Sequence, residues 1–161
     1  MVNPKKIIGG DKKLGKTEYP LKRIVAKTCI NLSESKWFPS KFRIRLLRWS
    51  GVKIGNQTFI GSNVMFDGIR PDLVNIGNHV KITAGTKIIT HFFNPNNNGM
   101  YLGRVFIEDN VFIGMNTLIV NPIKIGTGAV LAAGSVVTKD IPEWEIWGGN
   151  PAKFLKKRNH D

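Results

Sequence analysis

From residue 54 onward, aliphatic side chains return every six positions. Three blocks keep the register: Ile54, Ile60, Phe66; then Ile76, Ile82, Ile88; then Ile107, Ile113, Ile119, Ile125, Leu131, Val137. Four residues after these anchors come Thr58, Val64, Val80, Thr86, Val111, Thr117, Ile123, Ala129 and Ser135, mostly small or β-branched. A six-residue period fits neither the helical repeat of about 3.6 nor simple strand alternation, but it suits a prism whose faces are short strands. Three hexads make one coil, and stacked coils bury the anchors as a continuous interior ladder. Gly55, Gly61, Gly77, Gly114 and Gly126 directly follow anchors, where a chain turning sharply between short strands favours a residue without Cβ.

Two stretches break the period. Within residues 17–50, "LKRIVAKTCINL" and "SKFRIRLLRWSG" place apolar residues at helical spacing between basic ones. This predicts one or two amphipathic helices capping the first coil, the second ended by Gly51. The other break is "IITHFFNPNNNGMY" at residues 88–101, where an Asn-rich excursion over 92–103 leaves the coil beside His91. An aperiodic loop of this length in a regular scaffold is more often functional than incidental. Residues 1–16 are polar and Gly/Lys-rich, and mobility is expected there. The expected organisation is a basic N-terminal segment (1–50), a coil domain (51–149) and a basic C-terminal tail (150–161).

A chain of 161 residues buries an adequate core without staples, and its single cysteine, Cys29, excludes an intrachain disulfide. No apolar run near the N-terminus suits a signal peptide or a membrane span, so a cytoplasmic protein is expected. The net charge of +13 is carried at the ends: residues 1–50 hold 13 Lys+Arg against 3 Asp+Glu, residues 51–150 hold 7 of each, and residues 151–161 hold 4 against 1. A basic end suits nucleic acid, an anionic membrane surface, a phosphorylated ligand or plain solvation. Trp37, Phe38 and Trp49 among the basic helical residues favour peripheral contact with an anionic membrane face over nucleic acid. Cationic helices packed on the coil are the alternative.

Residues 51–157 resemble the maltose/galactoside O-acetyltransferase branch of the hexapeptide-repeat acyltransferases, which includes small sugar O-acetyltransferases of polysaccharide biosynthesis. The resemblance is carried by "VKIGNQTFIGSNV", "NIGNHVKITAGTKIITH", "GMYLGRVFIEDNVFIGMNTLIV", and above all "IGTGAVLAAGSVVTKDIP" followed by "WGGNPAKFLKK". It implies an all-β fold, a left-handed parallel β-helix of hexapeptide repeats; the handedness comes from the resemblance alone, since parallel crossovers are normally right-handed. It also implies a homotrimer with active sites between subunits, acetyl-CoA as co-substrate, and a sugar or lipid-linked glycan as acceptor.

Site residues follow from the same resemblance. His91 matches the general base, a role that suits the one side chain whose proton exchange ordinarily falls near physiological pH. The backbone N–H of Met115 matches the oxyanion donor. Ala133, Thr138, Lys139, Lys153 and Lys156 match positions along CoA, the lysines suiting its phosphates. Asp67, Met100 and Tyr101 match the acceptor side, with Asp72 an alternative to Asp67 because residues 68–75 run about two longer than the family pattern. One departure stands at residues 120–123, where "VNPI" replaces a Pro-Gly turn; the six-residue count survives, so an altered turn with an intact coil is expected.

Other readings predict different chemistry. The γ-class carbonic anhydrases share this fold and bind zinc through three histidines, but His79, His91 and His160 make no such trio, so no metal is expected. His79 reads as a turn residue and Cys29 as a packed thiol, not an acyl carrier. An N-acetyltransferase of an amino sugar keeps the fold and donor and changes the acceptor. A non-enzymatic scaffold gives no role to His91 or "VVTKD".

Overall fold

The computed structural model describes residues 7–9, 20–94 and 99–159. The short strand β1 (Ile7–Gly9) and the helices α1 (Pro20–Ser33) and α2 (Ser40–Ser50) precede the repeats. The first coil comprises β2 (Lys53–Ile54), β3 (Phe59–Ile60) and β4 (Met65–Phe66), and the second β5 (Val74–Ile76), β6 (Lys81–Ile82) and β7 (Lys87–Ile88). Strands β8 (His91–Asn94) and β9 (Gly99–Leu102) interrupt the stack. The third coil then follows as β10 (Val105–Ile107), β11 (Phe112–Ile113) and β12 (Leu118–Ile119), and the fourth as β13 (Lys124–Ile125), β14 (Val130–Leu131) and β15 (Val136–Val137). The chain closes with β16 (Glu145–Gly148) and β17 (Lys153–Lys157).

Parallel pairing stacks the coils into three faces, ordered β13-β10-β5-β2, β16-β14-β11-β6-β3 and β15-β12-β7-β4. The anchors register directly on one another: Ile54, Ile76, Ile107 and Ile125 on the first face, Ile60, Ile82, Ile113 and Leu131 on the second, Phe66, Ile88, Ile119 and Val137 on the third. Eleven of these twelve are buried, and Ile54, in the first coil, is packed against the same core. Trp147 extends the second ladder above Leu131, and Ile141 extends the first above Ile125. Thr86, Thr117 and Ser135 are fully buried at one edge, and each hydroxyl donates to the carbonyl three residues back, so no hydroxyl proton is left unpaired.

The glycines after the anchors are needed for a different reason than a turn. A Cβ on Gly61 would stand 2.7 Å from the Ala84 nitrogen, and one on Gly114 2.5 Å from the Ala133 nitrogen, so the next coil's backbone occupies the space a side chain requires. Backbone with positive φ falls two positions later, at Gln57, Asn63, His79, Gly85, Asn110, Asn116, Gly128 and Gly134. His79 is thus an exposed turn residue, as its sequence context indicates.

Helix α2 satisfies the open end of the first coil. The Arg43 guanidinium donates to the carbonyls of Ser35 and Ile60, Arg48 donates to those of Ile54 and Gly55, and Ser40 Oγ accepts from the Ile60 N–H. The contacts to Ile54, Gly55 and Ile60 pair backbone groups that an uncapped coil would leave open. Gly51, with φ 106°, ends α2 in the left-handed conformation and donates to the carbonyls of Arg48 and Leu47. Cys29 is buried in α1.

Three expectations change. The excursion is a β-hairpin: β8 and β9 pair antiparallel, His91 opposite Leu102 and Phe92 opposite Tyr101, with residues 95–98 outside the described residues. Residues 7–9, expected to be mobile, form β1 and pair with the outer side of β9, Ile7 opposite Leu102. The C-terminal segment contributes β17, antiparallel to β16, so Lys153–Lys157 is a sheet strand and not a tail. In each case period-six reading misses local pairing that alternates by twos.

Candidate functional site

Phe66 and Ile88 are stacked anchors on the third face, so the residues that follow them share one edge of the prism. Asp67 leaves the first coil there, and Thr90 and His91 leave the second. The Asp67 carboxylate is 3 % exposed and fully engaged: Oδ1 accepts from the Ile69 N–H at 2.9 Å, while Oδ2 accepts from the Thr90 N–H at 3.0 Å and the Thr90 hydroxyl at 2.7 Å. The same Oδ2 lies 2.6 Å from His91 Nδ1. Burial alone would raise the Asp67 carboxyl, but hydrogen bonds from Thr90, His91 and Ile69 outweigh it and hold the group below its ordinary value. Asp67 is therefore ionised at neutral pH.

An ionised carboxylate only accepts, so the short contact places a proton on His91 Nδ1. In the neutral ring the lone pair then belongs to Nε2. The His91 side chain is 28 % exposed, with Phe93 edge-on at 6.1 Å between ring centroids. Phe92 points to the other side of the hairpin and stacks on Tyr101 at 5.2 Å. The result is a partly exposed ring held by a buried anion, with its basic lone pair on Nε2. Such a ring can remove a proton from a hydroxyl.

This geometry gives Asp67 a place beside the base. The resemblance matches it to the acceptor side; here it is buried, each oxygen accepts from within the protein, and Oδ2 lies against the His91 ring, a position suited to orienting the histidine. Asp72 is engaged as well, in a bidentate pair with Arg70 at 2.8 and 2.7 Å. Thr90, fully buried, is the partner that sequence reasoning missed. The stacking of Phe66 on Ile88 was the signal that could have found it. Met100 takes its place in β9 opposite Phe93, and Tyr101 opposite Phe92.

The donor-side residues divide between two edges. Met115 and Ala133 stack in successive coils on the edge after the second face, where Gly134 N–H donates to the Met115 carbonyl at 2.7 Å. Both are exposed. Thr138 and Lys139 lie on the edge after the third face, above His91, and Thr138 O accepts from Asn121 Nδ2 at 3.0 Å. Lys139 Nζ stands 5.0 Å over the Trp147 ring, and Lys153 pairs with Gly148, the residue after Trp147, so both residues lie at the top of the stack. Lys156 is exposed opposite Ile146 on the same added strand. The altered turn at Asn121-Pro122 keeps its count, with β12 and β13 in register above β7 and β5 through β10. Among the described residues, no group of three or more His, Cys, Asp or Glu is placed to hold a metal ion; His160 lies outside them. No helix among them is long and apolar enough to cross a membrane.

Comparison with known proteins agrees with the coil and its edges. Residues 51–89 and 104–139 match a family model described as the hexapeptide repeat of succinyl-transferase, and the gap between them is the hairpin. Protein CapG of Staphylococcus aureus is 41% identical over 138 residues, covering 78% of this chain and 72% of that protein. YvoF of Bacillus subtilis (strain 168) is 38% identical over 104 residues, which is 65% of this chain and 59% of YvoF. Among solved structures, the hexapeptide-repeat containing acetyltransferase VCA0836 of Vibrio cholerae superposes with a TM-score of 0.72 at 27% identity, covering 86% of this chain and 92% of that one. The same protein solved with acetyl coenzyme A superposes at 0.69 with 20% identity, covering 91% and 92% and showing the shared fold. The chain belongs to the hexapeptide-repeat acetyltransferase family.

Proposed function

We propose that this protein is an acetyl-CoA-dependent O-acetyltransferase of a sugar hydroxyl, with His91 as general base. One observation carries the reading: where the coil is interrupted, a buried carboxylate lies 2.6 Å from Nδ1 of a partly exposed imidazole. The acceptor oxygen attacks the thioester carbonyl as His91 Nε2 takes its proton. The negative charge that develops on the carbonyl oxygen is met by the Met115 backbone N–H. Collapse breaks the carbon–sulfur bond, and the departing CoA sulfur takes the proton back from Nε2. No acyl-enzyme forms, in keeping with a buried Cys29.

The proposal includes a left-handed coil and a homotrimer. His91 and the Met115–Ala133 pair occupy different edges of one prism, and a second chain packed alongside brings a donor edge to a base edge. Ala133, Thr138, Lys139, Lys153 and Lys156 serve CoA, and Met100 and Tyr101 border the acceptor, which belongs to polysaccharide biosynthesis. The exposed Trp37 and Trp49 beside basic residues suit peripheral contact with the inner membrane face, and a cytoplasmic location follows. Co-flotation with anionic vesicles that weakens with salt supports that contact.

Mass spectrometry of sugar acceptors incubated with acetyl-CoA tests the central reading. An added acetyl group lost in mild base, and absent with His91→Ala, is the expected result. A base-stable acetyl group identifies an amide and the amino-sugar alternative, and transfer that persists in His91→Ala removes the proposed base.

A further inference from the structure

Next to the Asp67 turn lies a second cleft that the proposed chemistry does not use. About 400 Å³ in volume, it is bounded by Arg23, Ile24 and Lys27 of α1 on one side and by Gly68 and Ile69 on the other. Arg23 and Lys27 are four residues apart, on one face of α1, and both are exposed. Among the described residues, no carboxylate lines the cleft. The nearest in sequence, Asp67, is turned inward onto Thr90, His91 and Ile69, and Asp72 is held by Arg70. The opening is therefore positive, with an apolar wall from Ile24 and Ile69. Its rim at Gly68 adjoins the residue that orients the base.

We infer that this cleft holds the phosphate end of the acceptor, so that the sugar modified beside His91 is a glycosyl phosphate or diphosphate, not a free sugar. The inference rests on the acetyltransferase reading and names the substrate class of that site. A guanidinium and an ammonium one helical turn apart can grip adjacent phosphoryl groups, the arginine through paired donors and the lysine as a point charge. The apolar wall suits either the C–H face of a pyranose or the first atoms of a lipid. Nucleotide sugars and polyprenyl diphosphate sugars share this chemistry.

Gly68 supplies an unusually clean probe. A Cβ there meets nothing within 4 Å, and its backbone φ is not among the positive ones, so this residue of the cleft wall accepts a side chain without a clash. The experiment is calorimetric titration of the intact protein with inorganic pyrophosphate while CoA saturates the donor site. Wild-type protein and His91→Ala bind pyrophosphate; Gly68→Val and the double variant Arg23→Gln/Lys27→Gln lose about tenfold or more in affinity, with CoA binding unchanged. Titration with a uridine diphospho-sugar and with farnesyl diphosphate then identifies the source, the tighter of the two naming nucleotide or lipid. Unchanged pyrophosphate affinity in both cleft variants, or weakened CoA binding in Gly68→Val, overturns the inference while leaving acetyl transfer and its dependence on His91 standing. Failure of CoA to bind wild-type protein is the separate result that removes the reading beneath it.

Discussion

The edge after the third face is crossed four times, and the lower crossings differ from the upper ones. Above, the chain passes from Ile119 to Ile125 and from Val137 to Ile141 by short turns, and Asn121 ties one to the other through its bond to the Thr138 carbonyl. Below, it takes detours: a 3-10 turn at Pro71–Leu73 in the first coil and the β8–β9 hairpin after the second. Only the lower crossings bury an ionised group. Repetition alone builds the upper corner, whereas the lower corner spends its extra residues on surrounding Asp67 with donors and on holding His91 at the surface. A solenoid can tolerate this because each coil contacts only its neighbours, so an insertion leaves the ladder of anchors intact.

Removing the imidazole should break the contrast most severely. His91→Ala is expected to lower the acetyl-transfer rate by about 10²–10⁴ with oligomeric state unchanged by light scattering. Asp67→Asn should follow closely, since the amide no longer enforces a proton on Nδ1 and its NH₂ can face the Thr90 donors. A rate loss of about 10²–10³, together with about 1–3 kcal/mol of stability in denaturant titration, is expected.

The pH dependence of that stability difference has a definite sign. The folded value of the Asp67 carboxyl lies below its ordinary 3.8, so its contribution is complete at pH well above 3.8 and disappears as the pH falls through the folded value. Denaturant titrations of wild type and Asp67→Asn should therefore diverge at pH 7 and converge in strong acid.

Gly114→Ala probes the regular stack, away from the lower corner. The added methyl enters the backbone of the next coil at Ala133, with an expected loss of about 1–3 kcal/mol measured by thermal unfolding. The smallest effect belongs to the upper corner, where Asn121→Ala removes one exposed hydrogen bond and should cost about 1 kcal/mol or less.

Much of this was legible from residues alone. Anchors at every sixth position gave the three faces and their register, because a buried ladder tolerates only apolar side chains at those places. The helices and the Gly51 stop were legible through helical spacing and the need for positive φ. His91 stood out at the point where the period failed. Its partner did not, because Asp67 is distant in the chain, and the insertion at 68–73 hid that both residues follow stacked anchors. The hairpin and β17 escaped for a simpler physical reason: antiparallel strands declare themselves by alternation and by partners, and "HFFN" and "KFLKK" are too short to show either.

The central claim is that Asp67 holds the proton of the His91 ring on Nδ1 and leaves Nε2 as the base. Nitrogen-15 chemical shifts of histidine-labelled protein near neutral pH, with His91 assigned by its loss in His91→Ala, measure this directly. Neutral His91 in wild type should show a protonated Nδ1 and an unprotonated Nε2, a preference that weakens in Asp67→Asn. A neutral His91 protonated on Nε2 in the wild-type protein would contradict the account.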